Sequence, residues 1–192
     1  MLLAAAAALT AYNRWEEAIA EQRSREVLRQ LMAAPAWFEN GDENWQNTEN
    51  IIAAMPVQEI DDNRYVGILS LPTLELELPV METWSYEQLR IAPCRYAGSV
   101  YTDDLLLCAH NYEAHFGRLA ELSIGDPVCF TDMKGRAFLY EVDEMEILAA
   151  DAATAMRSGN WDLTLFTCTL GGQQRIVVRC QKQEKLKQRL PG

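Results

Sequence analysis

Positions 163–180 carry two alternating runs that set the reading of the whole chain. Leu163 and Leu165 alternate with Thr164 and Phe166, a period of two that predicts a half-buried strand over 163–168, ending on Cys168. Gly171 and Gly172 break it, and Arg175-Ile-Val-Val-Arg-Cys180 starts another strand. Further strands are expected over 65–71, 74–78, 98–101, 105–110, 127–132 and 137–148, with Lys134-Gly135 as a hairpin turn. Upstream the period lengthens. Trp15, Ile19, Val27, Leu28 and Leu31 recur among charges without Gly or Pro, so 13–33 reads as a helix. Pro35 and the polar run 40–44 end it, 45–55 suits a second short helix, and 56–63 a linker. Short helices also fit 85–91 and 113–122. Many short strands with little helix between them suggest a closed barrel, which leaves no exposed edge.

Composition narrows the choice. At 192 residues the chain suits one medium domain plus an appendage. A net charge of −11 argues against a nucleic-acid partner, whose phosphates would repel it. The basic tail, Arg175 to Arg189, reads as a solvated strand end and short helix. The five cysteines, at 94, 108, 129, 168 and 180, form no Cys-x-x-Cys pair, so zinc and thioredoxin-like readings lack support. Cys108 and Cys129 lie in apolar strand patterns and read as core. Cys94 and Cys180 are a conceivable disulfide, but an odd count leaves at least one free thiol, for which Cys168 is the candidate.

Both histidines fall in Ala109-His110-Asn111-Tyr112-Glu113-Ala114-His115-Phe116-Gly117. A strand running into His110-Asn111, the run Thr164-Leu165-Phe166-Thr167-Cys168, and Arg175 opening the next strand occur in that order. In these three segments the chain resembles the sortases, cysteine transpeptidases of Gram-positive cell surfaces. Supporting similarity runs from Tyr65 through Leu78-Pro79-Val80 and Gly125-Asp126-Pro127-Val128 to about Arg179. The resemblance implies a mainly β fold: a closed eight-stranded sortase-type barrel with short helices and an N-terminal helical appendage.

It also implies roles. Cys168 would be nucleophile and leaving group, because a thiolate suits both halves of acyl transfer. His110 would give a proton to the departing amine and take one from the incoming amine. The pair is expected to rest mainly in its neutral form. Arg175 would hold the substrate carbonyl or its oxyanion. Arg179, four residues on and on the same strand face, is its rival. Thr167 would help orient substrate through its backbone or hydroxyl. His115 reads as a packing or surface residue. No cofactor or metal is expected. Calcium would call on Asp103, Asp104 and Glu113, which a solvated acidic loop explains as well.

The expected organisation is therefore a remnant of a membrane anchor at 1–12, a helical segment and linker at 13–62, and the catalytic barrel at 63–192. The run 1–12 is too short to span a bilayer. It reads either as the Ala-rich start of a helix or as the outer end of a signal-anchor, and the resemblance favours the anchor. The expected partners are C-terminal sorting signals such as Leu-Pro-x-Thr-Gly and an amine of a peptidoglycan precursor or a pilin lysine. The expected location is the extracytoplasmic face of the membrane. The connection 149–162 is too short for the extra helix of class B enzymes, and the N-terminal segment has no Asp-Pro-aromatic lid as in class C. Both tilt the reading toward class A or D. A pilin-polymerising sortase and a hydrolytic cysteine protease remain the alternatives.

Overall fold

The structure is a computed structural model that describes residues 2–33, 54–169 and 171–183. Helix α1 (Leu2–Ala33) is followed by nine strands: β1 (Gln58–Ile60), β2 (Asn63–Leu71), β3 (Leu76–Met81), β4 (Cys94–Ala97), β5 (Leu105–Cys108), β6 (Pro127–Asp132), β7 (Ala137–Ala149), β8 (Leu163–Cys168) and β9 (Gln174–Lys182). Short helices α2 (Tyr86–Leu89) and α3 (Ala153–Arg157) lie in the β3–β4 and β7–β8 connections. The strands run in the order β1-β2-β3-β4-β5-β8-β9-β7-β6, and β6 pairs back onto β2. That last ladder closes eight strands into a mixed barrel, with β1 as a short hairpin arm on β2. The expected eight-stranded barrel with short helices and an N-terminal helix is what is found.

Two apolar clusters lie on the two sides of the barrel wall. Leu105, Leu107, Leu163, Leu165, Val178 and Cys180 belong to the inner one, with Phe116, Phe130 and Tyr140. Leu106, Cys108, Phe166 and Val177 belong to the outer one, with Met156 of α3 and Val27 and Leu31 of α1. Strands β5 and β8 are thus covered on both faces. The period-2 pattern over 163–168 survives, but the strand is not half-buried: Thr164 and Phe166 are buried too. Phe166 is covered by Tyr96, whose ring centroid is 5.4 Å away, in a cluster with Met156 of α3, and Thr164 lies against the Arg179 guanidinium.

Several boundaries differ from the sequence pattern, each for a local reason. Helix α1 starts at Leu2, not 13, because the alanine run continues the helix without a breaker. Its buried positions Ala20, Ser24, Val27 and Leu31 recur at helical spacing. The expected helix at 45–55 falls largely outside the described residues; Ala54 and Met55 are in neither helix nor strand. The strand expected over 74–78 begins at Leu76, because Pro72 opens a 3-10 turn over Pro72–Leu74 and Glu75 takes a left-handed φ of 55°.

The strand expected over 98–101 is a turn. There Gly98 has φ 71°, and the Asp104 carboxylate accepts from the Ser99 amide at 3.0 Å. The missed strand Cys94–Ala97 pairs with β5 instead. The helix expected over 113–122 is a set of turns with one 3-10 segment, Leu119–Glu121. The amides of His115 and Gly117 both donate to the Tyr112 carbonyl, at 2.9 and 2.8 Å, and that of Phe116 to the His110 carbonyl at 3.2 Å. This curls the segment back on itself. The expectations over 127–132, the hairpin at Lys134-Gly135 and the helix N-capped by Ser85 are met.

The cysteines also sort by face. Cys94 stands opposite Cys108 in the outer cluster, whereas Cys180 is in the inner one, so Cys94 and Cys180 lie across the wall from each other and all five thiols are free. Cys129, expected in the core, is only partly buried. Burial raises the Cys94, Cys108 and Cys180 thiols well above their usual range, Cys108 to about 12.

Barrel closure depends on Gly67, which pairs with Val80 on one side and Asp132 on the other. A Cβ there would sit 2.2 Å from the Phe130 ring and 2.5 Å from the Thr131 carbonyl oxygen. Gly67→Ala is therefore expected to cost at least about 1–3 kcal/mol in urea denaturation; an unchanged midpoint would show that the β2–β6 ladder tolerates the methyl.

A second expectation concerns acid. His115 is fully buried, neither ring nitrogen has a hydrogen-bond partner among the described residues, and burial together with nearby His110 lowers its pKa to about 4. The unfolded chain takes up this proton near pH 6.5 and the folded chain does not, so stability is complete above that range and falls as pH drops toward 4. The loss is roughly 3 kcal/mol. His115→Phe should flatten this slope between pH 6.5 and 4.5, and an equal slope in both proteins would contradict it.

Candidate active site

Cys168 is the last residue of β8 and is only partly buried. It owes its position to two ladders. On one side β8 pairs antiparallel with β9, and Cys168 is directly opposite Arg175. Residues opposite one another share a sheet face, so the thiol and the guanidinium stem rise on the same side. That side is the outer one, where Phe166 and Val177 sit two residues back along each strand.

On the other side β8 runs parallel to β5, with Cys108 opposite Phe166. The ladder continues past the strand end: the Ala109 amide donates to the Phe166 carbonyl at 3.3 Å. The Thr167 hydroxyl adds a side-chain tie, donating to the Ala109 carbonyl at 2.9 Å. Ala109 belongs to the inner cluster, so alternation carries His110 to the outer side. His110 lies two residues beyond Cys108 and Cys168 two residues beyond Phe166, the last pair of this ladder. Neighbouring strands lie about 4.8 Å apart.

Arg175 thus stands opposite Cys168 on the outer face of β8 and β9, and His110 follows the end of the neighbouring strand β5. Among the described residues, no hydrogen bond joins the thiol to the imidazole, and the Arg175 guanidinium donates to the carbonyls of Gly172 and Gln174, both at 3.1 Å. Such contacts often tighten only with substrate bound. His110 is half-buried. Burial, then the charge of Arg90, lowers its pKa below the usual 6.5, while Glu16 of α1 opposes them. The neutral imidazole therefore predominates at neutral pH. Glu16 and Arg90 themselves pair at 4.0 Å, and Glu17 accepts from the Glu113 amide, so α1 lies beside the His110 turn.

The rival arginine has another task. Arg179 is 2% exposed, and its fork donates to Glu146 at 2.8 Å, Thr164 at 3.2 Å and the carbonyls of Met156 and Ala155 at 2.5 and 2.8 Å. The contacts to Ala155 and Met156 fasten α3 to the barrel, and those to Glu146 and Thr164 tie β9 to β7 and β8. Thr167 is 1% exposed with its hydroxyl committed to Ala109, so its side chain ties the two strands together and only its backbone remains for a ligand.

No group of three or more candidate metal ligands occurs among the described residues. Asp103 pairs with Lys182, and Asp104 accepts from Ser99.

The residues that sequence reasoning missed around His110 are Tyr112, Arg90 and Glu16. Tyr112 lies two positions on, and the centroid of its ring is 4.9 Å from that of His110. Arg90 and Glu16 come from elements far away in sequence, and nothing in the pattern of either pointed here.

The family pattern of the sortase domain matches residues 69–183, from within β2 to the end of β9. Among solved structures the chain is similar to a sortase D5 transpeptidase of Clostridium perfringens, at 17% identity over 62% of this chain and 78% of that one, with a TM-score of 0.53. It is likewise similar to sortase C1 of Streptococcus agalactiae, at 23% identity over 70% and 72% with a TM-score of 0.56, and to sortase C-1 of Actinomyces oris, at 19% over 60% and 72% with a TM-score of 0.54. Likeness at these identities is a likeness of fold. No curated protein matches the chain in sequence. A sortase-domain match over more than half of the chain, on a barrel of this topology, establishes the family: the chain belongs to the sortases, the cysteine transpeptidases.

Proposed function

We propose that Cys168, His110 and Arg175 are the catalytic residues, and that the enzyme cleaves an LPxTG-like sorting signal and transfers the acyl group to an amine of a cell-wall precursor. The observation that supports this is the place of Cys168 at the end of β8: the antiparallel ladder sets it opposite Arg175, and the parallel ladder on its other side runs along β5, the strand that leads into His110. In the first half-reaction the neutral His110 imidazole takes the Cys168 thiol proton as the sulfur attacks the threonine carbonyl. Arg175 stabilises the oxyanion, and His110 gives its proton to the departing glycine amine, leaving a thioester. In the second, the incoming amine attacks that thioester, His110 takes its proton, and the thiolate leaves. Thr167 would contribute a backbone contact to the bound peptide.

The finer reading is a class A- or D-like enzyme. The β7–β8 connection, where signal recognition is expected, holds only the five-residue α3. We place the protein at the extracytoplasmic face of the membrane, tethered through 1–12 as the remnant of an anchor, followed by 13–62 as appendage and 63–192 as catalytic domain. Leu9, Tyr12 and Trp15 are exposed on the first half of α1, which is where an apolar segment continuing into a bilayer would leave the domain. Among the described residues no helix is long and apolar enough to cross a membrane. Pilin lysines as acceptors, and simple hydrolysis, are the competing outcomes of the assay below.

A labelled Leu-Pro-x-Thr-Gly peptide should give a new amide product only when an amine such as triglycine is supplied; hydrolysis at the same rate with and without amine would favour a protease. Cys168→Ala should abolish turnover, and His110→Ala should lose nearly as much. Arg175→Lys keeps the charge but loses the planar fork, so kcat should fall by about 10²–10³. Arg179→Lys should cost far less in kcat and show its effect as lower stability, because it releases α3. Equal losses of kcat from the two arginine variants would remove Arg175 from the mechanism.

A further inference from the structure

The imidazole of His110 must keep its aim on Cys168 both with and without its second proton, so something has to hold it. In many nucleophile–base pairs a third group orients the base by a hydrogen bond. Among the described residues no hydrogen bond fixes the His110 ring. What touches it is Tyr112, with ring centroids 4.9 Å apart and planes tilted by 39°. Tyr112 in turn packs on His115, at 5.6 Å and 49°. The tyrosine is thus held between two imidazoles, one at the site and one fully buried.

Resting on the acid–base reading of His110, we infer that Tyr112 is the positioning residue that sets the orientation of the His110 ring, with buried His115 as its backstop. The segment is built to hold that stack. The Tyr112 carbonyl accepts from two amides, and Phe116 and Leu119 anchor the turn in the inner core. A Cβ on Gly117 would lie 2.6 Å from the Asn111 carbonyl oxygen and 2.8 Å from the Tyr112 backbone, so the turn closes on Tyr112 only because residue 117 is glycine. The charged and titratable groups beside His110 are Glu16 and Arg90, and those beside Tyr112 add Glu17 and Tyr12. The stack supplies orientation while these groups supply field. His115 remains neutral there, so the backstop does not change charge when His110 does.

The test uses the full chain and two readouts. The chain has two histidines, so the imidazole Cε1–H spectrum contains two resonances, assigned through His110→Ala. Wild type and Tyr112→Phe should show a ring-current-displaced His110 signal, and Tyr112→Leu should return it toward the position of a free imidazole. With the labelled Leu-Pro-x-Thr-Gly peptide and triglycine, Tyr112→Leu should lower kcat by about tenfold to a hundredfold with little change in KM, the cost of a misplaced acid–base group. Tyr112→Phe should restore kcat to within a few-fold. An undisplaced His110 signal in the wild type, or wild-type kcat in Tyr112→Leu while His110→Ala is inactive, overturns the positioning role. Equal losses in the Leu and Phe variants also overturn it, since the hydroxyl and not the ring would then be at work. Wild-type turnover in His110→Ala would instead overturn the acid–base reading and leave the ring contact to stand on the spectrum alone.

Discussion

The parallel pairing of β5 with β8 is the constraint on which the rest of the structure depends. Parallel neighbours need a long crossover, and here the chain traverses β6, β7 and α3 between them. The reward is that both strands end at the same edge of the barrel, so the Thr167 hydroxyl reaches the Ala109 carbonyl across 58 residues of sequence and ties the two strand ends together. Register is decisive. A slip by one residue would turn the Cys168 thiol into the inner cluster and Thr167 out to solvent. Burial on both faces guards against such a slip: Leu163 and Leu165 fill the inside while Phe166 packs under Met156 and Tyr96.

Environment, not residue type, then divides the labour. Two arginines share one strand face four residues apart. Arg179 has all its donors satisfied by α3, Glu146 and Thr164, whereas Arg175 rests on two carbonyls of its own hairpin and stands opposite the thiol. Two histidines share one short segment. His115 is fully buried and, among the described residues, neither of its ring nitrogens is hydrogen-bonded, whereas His110 is half-buried and feels the charges of Arg90 and Glu16. Three of the five thiols are buried deeply enough that ionisation is suppressed, which keeps nucleophilic chemistry to the barrel rim.

Much of this was legible in the chain because local patterns carried it. The alternation over 163–168, the Gly171-Gly172 break and the restart at Arg175 gave the hairpin, and the apolar run before His110 gave β5, although the strand expected over 105–110 stops at Cys108. The barrel itself followed from many short strands. What could not be read depended on distant partners or on backbone geometry. The strand Cys94–Ala97 has no clear alternation and exists because β5 offers it an edge. The segment 98–101 has strand-like residues, yet Gly98 and Asp104 bend it into a turn. The apparent helical stripe of Phe116, Leu119 and Leu122 is real as burial but not as helix, because Gly117 folds the chain onto Tyr112. Helix α1 contributes Glu16 to the surroundings of His110 from almost a hundred residues away, and no local pattern encodes that.

The account's central claim is that the single thiol at the meeting of the two ladders carries the acyl group. Intact-protein mass spectrometry after mixing with a Leu-Pro-x-Thr-Gly peptide in the absence of amine tests it most directly, because Cys129 is the one other cysteine with partial exposure. The result predicted is a mass gain equal to the acyl fragment ending in threonine, mapped to Cys168 by digestion and discharged by added amine. An adduct that survives Cys168→Ala, or that maps to Cys129, would contradict it.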